Sequence, residues 1–208
     1  PSPVDVGAPF VEDFPILMAN SGTTLAEGFL GLGLGIALAF VTAVLMDRYR
    51  FLYKSLYPIL VITQTIPTVA IAPLLVLWMG YDMAPKIALV VIVCFFPMAV
   101  GLLDGFRSAD QDTVNLLRSM GASKGQIFRM VKLPSSLGRF FSSLRVSVSY
   151  SIVGAVIAEW LGGNSGLGVY MTRVRKSYAF DKMFAVIVLI SLISLLLMWL
   201  VSMIQRLC

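Results

Sequence analysis

Five unbroken apolar stretches, at about 25–46, 56–79, 87–105, 140–161 and 183–204, constrain this chain more than any other feature. Each is about 19 to 24 residues long, and a helix rising 1.5 Å per residue crosses a hydrocarbon layer of about 30 Å over that length. Water cannot satisfy backbone groups in that layer, so a crossing segment is either a helix or a strand of a closed barrel. Barrel strands alternate apolar and polar residues over about ten positions, whereas these stretches stay apolar throughout. The expectation is an all-α, polytopic membrane helix bundle with five spanning helices. Composition agrees, with 13% charged residues against about 25% in an average soluble domain.

Cation placement sets the orientation. With the segment 115–134 placed inside, that side collects Arg48, Arg50, Lys54, Arg107, Arg118, Lys124, Arg129, Lys132, Arg139 and Arg206. The other side holds Lys86, Arg173, Arg175, Lys176 and Lys182, together with Asp5, Glu12, Asp13 and Asp82, while Arg145 lies within the fourth stretch. Inner loops are enriched in Lys and Arg, so this arrangement is favoured, and the net charge of +5 reads as topology rather than as a nucleic-acid surface. The opening PSPVDVGAPFVEDF is acidic and proline-rich, with no basic start; it reads as an extended lead-in and not as a signal peptide. Cys94 and Cys208 fall too far apart to pair, and the chain has no histidine, so neither a disulfide nor a metal centre is expected.

The most specific segment is the loop NLLRSMGASKGQIFRMVKLP at 115–134, within a polar stretch of about 107–138. Asp110, with Ser108 as competitor, can cap a helix running to about Met120, and Asp112 adds negative charge to its first turn. Gly121 is the natural left-handed C-cap, and Ser123 can cap a second helix expected to stop before Pro134. Val114, Leu117 and Met120 on the first helix, and Ile127, Met130 and Val131 on the second, form apolar stripes. Such stripes suit a protein partner, a lipid surface or the ends of the membrane helices.

This loop resembles the signature loop of ABC importer membrane subunits: Glu-Ala-Ala, three residues, Gly, nine residues, Ile, one residue, Leu-Pro. Gly121, Val131, Leu133 and Pro134 keep the spacing, with Val for Ile, while Asn115, Leu116 and Leu117 take the Glu-Ala-Ala places. The flanks IAPLLVLWMG, CFFP and AEWLGGNSGLGVYM resemble permeases for nitrate, sulfonate, taurine and thiamine-precursor uptake, and the last is most similar to those for thiamine-precursor pyrimidines. The resemblance covers essentially the whole chain, as a single transmembrane domain over 1–208. It implies a six-span core, of which this chain would lack the N-terminal helix, in the plasma membrane of a bacterium with the loop in the cytoplasm. It also implies a second copy of the permease, two cytoplasmic ATPase subunits that bind ATP and Mg, and an extracytoplasmic substrate-binding protein. Asn115, Leu116, Leu117, Arg118, Met120, Gly121, Ala122, Ser123 and Pro134 would form the ATPase-coupling contact. An amide at Asn115 gives up the charge-assisted bond of the family's Glu, so docking should rest more on Leu116, Leu117 and Met120.

The chain itself carries no G-x-x-x-x-G-K-S/T phosphate loop, so no catalytic residue or bound cofactor is expected in it. Gly31 and Gly35 read as a small-residue seam between spans. Polar residues inside spans are candidates for a solute pathway. Gln64 and Thr68 flank Pro67 at i, i+4; Ser147, Tyr150 and Ser151 recur along the fourth stretch with Ser143 and Gly154; Glu159 lies near its outer end. Helix-to-helix hydrogen bonding is the competing role for the hydroxyls. Glu159 could instead reach interfacial water or pair with Arg173 or Lys176. Two readings of function follow: an ABC importer permease moving a small solute, a thiamine-precursor pyrimidine or related heteroaromatic first and sulfonate, taurine or nitrate second, or an ion-coupled carrier using Glu159 and Asp104.

Overall fold

The computed structural model describes Phe10 and residues 12–207, and every regular element among them is helical. In chain order these are α1 (Phe14–Arg48), α2 (Arg50–Thr63), α3 (Thr68–Met79), α4 (Met83–Arg107), α5 (Gln111–Ser119) and α6 (Lys124–Ile127). A π-helical turn (Phe128–Lys132) then leads into α7 (Leu133–Glu159), followed by α8 (Leu167–Lys176) and α9 (Phe180–Leu207). The lead-in over 1–9, Val11 and Cys208 lie outside the described residues.

Four of the five expected spans are present as helices long and apolar enough to cross a membrane: α1, α4, the run Lys124–Glu159, and α9. The second is not a straight span. Its two halves, α2 and α3, meet at 99°. The helix tightens before the bend, where Gln64 N–H donates to Val61 O, Thr65 N–H to Ile62 O and Ile66 N–H to Thr63 O. Thr63 and Thr65 turn their hydroxyls onto the carbonyls of Leu60 and Ile62. Pro67, which has no N–H to continue the ladder, then starts a new direction. Gln64 and Thr68 are therefore not successive turns of one helix face, as their spacing implies.

The core is built around α4, which packs on α1 along one side and on α7 along the other. Both contacts are close because side chains are missing or short. A Cβ on Gly31 of α1 would lie 2.5 Å from Val90 Cβ, and one on Gly105 of α4 would lie 2.9 Å from Ser136 Cα of α7. The expected glycine seam is thus an α1–α4 contact, and the serines of α7 act as small partners for the glycines of α4. At the end nearest the 115–134 loop Phe106 stacks edge-on against Phe40 and Phe128, and Arg107 lies 3.6 Å over the Tyr53 ring.

At the end away from the 115–134 loop charge does the fastening. Lys86 of α4 and Glu27 of α1 meet at 2.7 Å and both are buried. Glu159, also buried, accepts from Thr24 Oγ1 at 2.7 Å and from Gly168 N–H at 2.6 Å. Thr24 in turn accepts from Leu167 N–H, and Asn20 Oδ1 accepts from Gly166 N–H. The first N–H groups of α8, which no helix can satisfy internally, are thereby capped by α1 and by the end of α7. Glu159 pairs with neither Arg173 nor Lys176; Arg173 instead donates to Asn164 O. Tyr170 is buried and donates its hydroxyl to Asp13, which Lys182 also meets at 2.6 Å. The Lys182 and Tyr170 hydrogen bonds hold the Asp13 carboxyl below the usual carboxylate range.

Removing Lys86 leaves buried carboxylates without their cation, a loss that costs about 3–5 kcal/mol when a buried pair is broken from one side. Lys86→Met should lower the thermal midpoint of the detergent-purified subunit clearly, and adding Glu27→Leu should restore part of it. An unchanged midpoint in the single variant would overturn this account of the Lys86–Glu27 end.

Candidate coupling loop and solute cavity

The loop is shaped by its caps. Asp110 accepts from Thr113 N–H at 2.9 Å and from the Thr113 hydroxyl, starting α5, and these bonds favour the ionised carboxylate and hold its pKa below the ordinary value. At the other end Gly121 adopts φ +83°, with Gly121 N–H bonded to Arg118 O and Ala122 N–H to Leu117 O. That pair of bonds is a Schellman cap, and Leu117 and Ala122 pack together in the small core of Ala109, Val114 and Ile127. Ser123 and Gln126 then form a reciprocal capping box that starts α6.

The second helix does not stop before Pro134. Leu133 N–H reaches back five residues to Phe128 O, and this π register carries the chain through Pro134 into α7 without a break. Pro134 sits in the first turn of α7 directly after the π turn, so the bond its missing N–H omits falls where the helix changes from π to α register. The loop is consequently a stiff extension of a spanning helix, further fixed by Lys132, whose Nζ lies 2.7 Å from both carboxylate oxygens of Asp47 at the end of α1.

The apolar stripes divide. Val114 and Ile127 are buried within the loop, with Leu117 and Val131 partly so. Leu116 is 61% exposed and Met120 is 73% exposed, alongside exposed Asn115, Ser119 and Gly121. Met130 is exposed too, so the loop presents a free apolar ridge. Arg118 is exposed on another side of α5, facing the groove toward α1.

A cavity of about 190 Å³ opens where α2 and α3 bend. Thr63, Gln64, Thr68 and Tyr150 supply its polar groups, with Ile71, Ile92 and Ile157 among its walls. Of the sequence candidates for a pathway, Gln64, Thr68 and Tyr150 come together here, and it is the bend rather than an i, i+4 face that unites them. Ser147, Ser151 and Glu159 do not line it. Ser147 is fully buried against α4, where Cys94 Sγ lies 3.2 Å from Ser147 O, and Ser151 bonds Val148 O on its own helix. Both small side chains were selected by the same polarity rule, which cannot tell a packing hydroxyl from a lining one.

Sequence reading missed Glu27 and placed Lys86 simply outside. An acid within an apolar stretch was the available signal, since such groups are rare in spans and seek a partner. Asp104 is exposed near the C-terminal end of α4, whereas Lys86, beside the Glu27–Glu159 cluster, is near its N-terminal end. Eighteen residues of helix separate them, about 27 Å, so Asp104 and Glu159 form no local relay.

A family model described as the binding-protein-dependent transport system inner membrane component matches residues 31–207. The formylaminopyrimidine transport permease protein ThiX of Halalkalibacterium halodurans is 36% identical over 197 residues, which is 94% of this chain and 79% of that one. A probable ABC transporter permease protein of Haemophilus influenzae is 39% identical over 195 residues, 94% and 80% of the two chains. The fold is shared with the inward-facing MetNI methionine ABC transporter, at a TM-score of 0.83, 20% identity, and 94% and 97% coverage. The chain belongs to the family of binding-protein-dependent transport system inner membrane components and is a permease subunit of an ABC importer.

Proposed function

We propose that this subunit carries a small neutral heteroaromatic solute, of the formylaminopyrimidine kind, inward through the cavity at the α2–α3 bend. The observation that carries this reading is the chemistry of the lining: an amide, two threonine hydroxyls and a phenol among isoleucines, with no charged group. A sulfonate, taurine or nitrate would have to leave water for such a site with no cation to receive it, an unfavourable exchange. A flat ring with carbonyl and amino edges exchanges water for Gln64, Thr68 and Tyr150 and buries its faces against apolar walls. The relationship to ThiX supports the same choice.

The rest of the machine follows as part of the proposal. Residues 1–208 act as one transmembrane domain of a bacterial plasma-membrane protein, paired with a second copy. The 107–138 loop lies in the cytoplasm, where Asn115, Leu116, Leu117 and Met120 meet one of two ATPase subunits and Gly121, Ala122, Ser123 and Pro134 keep the elbow stiff. ATP and Mg bind those partners, and an extracytoplasmic binding protein delivers the solute to the outer face.

Uptake of labelled formylaminopyrimidine into vesicles holding the permease, its ATPase and its binding protein should depend on internal ATP and withstand a protonophore. Gln64→Leu should cut that uptake about tenfold, the effect of one lost buried hydrogen bond. Taurine uptake without pyrimidine uptake would refute the substrate, and protonophore sensitivity with ATP present would refute the energy source.

Gly121→Val meets no steric obstacle, because nothing lies within 4 Å of the added Cβ, yet forces a β-branched residue to φ +83°. The variant should insert normally and hydrolyse ATP in the assembly with uptake largely lost. Uptake per ATP equal to that of the unaltered assembly would count against a coupling role for the elbow.

A further inference from the structure

On the membrane side of the coupling loop, between the end of α1 and the α5–α6 turn, lies a groove of about 520 Å³ that the transport reading does not use. Its polar lining is Asp47, Arg48, Arg118, Lys124 and Lys132, and Val44 and Phe128 contribute apolar wall. Lys132 and Asp47 neutralise each other. Arg48, Arg118 and Lys124 have no carboxylate within 4 Å among the described residues, so three cations converge on one groove uncompensated.

We propose that this groove holds the phosphate of an anionic membrane lipid. The inference rests on the reading that the loop is cytoplasmic and couples to an ATPase. Three features favour a lipid. The groove lies where the spanning helix α1 ends at Arg48, the depth of the headgroups. Its volume falls within the range of small-molecule sites and combines a cationic rim with apolar wall, matching a phosphoglycerol group and the start of its acyl chains. Arg48 and Arg118 offer forked donors suited to phosphate oxygens. The ATPase-facing ridge of Leu116 and Met120 does not compete, because Val114 and Arg118, one turn apart, mark the groove side of α5. Lipid and ATPase therefore occupy different faces of one short helix, and the lipid charge steadies the coupling helix against α1.

The test is native mass spectrometry of the complete importer released from bilayers of phosphatidylcholine mixed with phosphatidylglycerol. The unaltered assembly should retain phosphatidylglycerol in preference to phosphatidylcholine, and Arg48→Gln with Lys124→Gln should weaken that retention by roughly thirtyfold, about fivefold per cation removed. Equal retention of the two lipids, or retention unaffected by the double variant, overturns the proposal. Displacement of the lipid by inorganic phosphate at low concentration overturns it in favour of a free anion. Lipid retention is measured without turnover, so failed uptake of the pyrimidine bears on the transport reading and leaves this result standing.

Discussion

The α4 helix can lie within backbone reach of both α1 and α7 only because glycine and serine occupy the points of contact, and the bundle depends on that close approach. In lipid no apolar driving force pushes helices together, so association relies on packing and short hydrogen bonds. Gly31 against Val90, and Gly105 against Ser136, are places where a single added methyl group would meet β-carbon or backbone. The same closeness brings Lys86 to Glu27 and lets Thr24 reach both Glu159 and Leu167.

The two ends of this core are fastened differently. The end opposite the loop is an ion pair and a set of side-chain caps that hold α8 against α1 and α7, taking up the N–H groups of Gly166, Leu167 and Gly168. The loop end is an elbow whose stiffness is local: an N-cap, a Schellman turn, a capping box and a π turn within about two dozen residues. The elbow runs without a break into α7, which lines the cavity through Tyr150 and Ile157. The bent α2–α3 pair is the opposite case, a helix broken so that polar groups can face an opening.

Local chemistry was legible where the governing interactions are short in sequence. Asp110, Gly121 and Ser123 act within a few residues of themselves, and their roles in shaping the loop could be read from spacing alone. Hydrophobic run length likewise identified four spanning helices. The same rules misread Pro134, because the π turn that accommodates it depends on the Asp47–Lys132 pair and on Phe128 packing against Phe106, contacts with distant partners. They also ranked Ser147 and Ser151 with Gln64 and Tyr150, since polarity within a span is common to lining and packing residues.

The sequence by itself determined the class of molecule, the number of apolar stretches, the caps of the loop and the family pattern that they carry, all of which depend on composition or on neighbours along the chain. Only the tertiary structure decided that the second stretch turns by 99°, that Glu159 caps α8 rather than lining a cavity, and that Glu27 finds Lys86. The physical reason is the range of the interactions. A cap or an apolar run is settled within one or two turns of helix, whereas burial of a charge or a hydroxyl is settled by whichever helix happens to lie across from it.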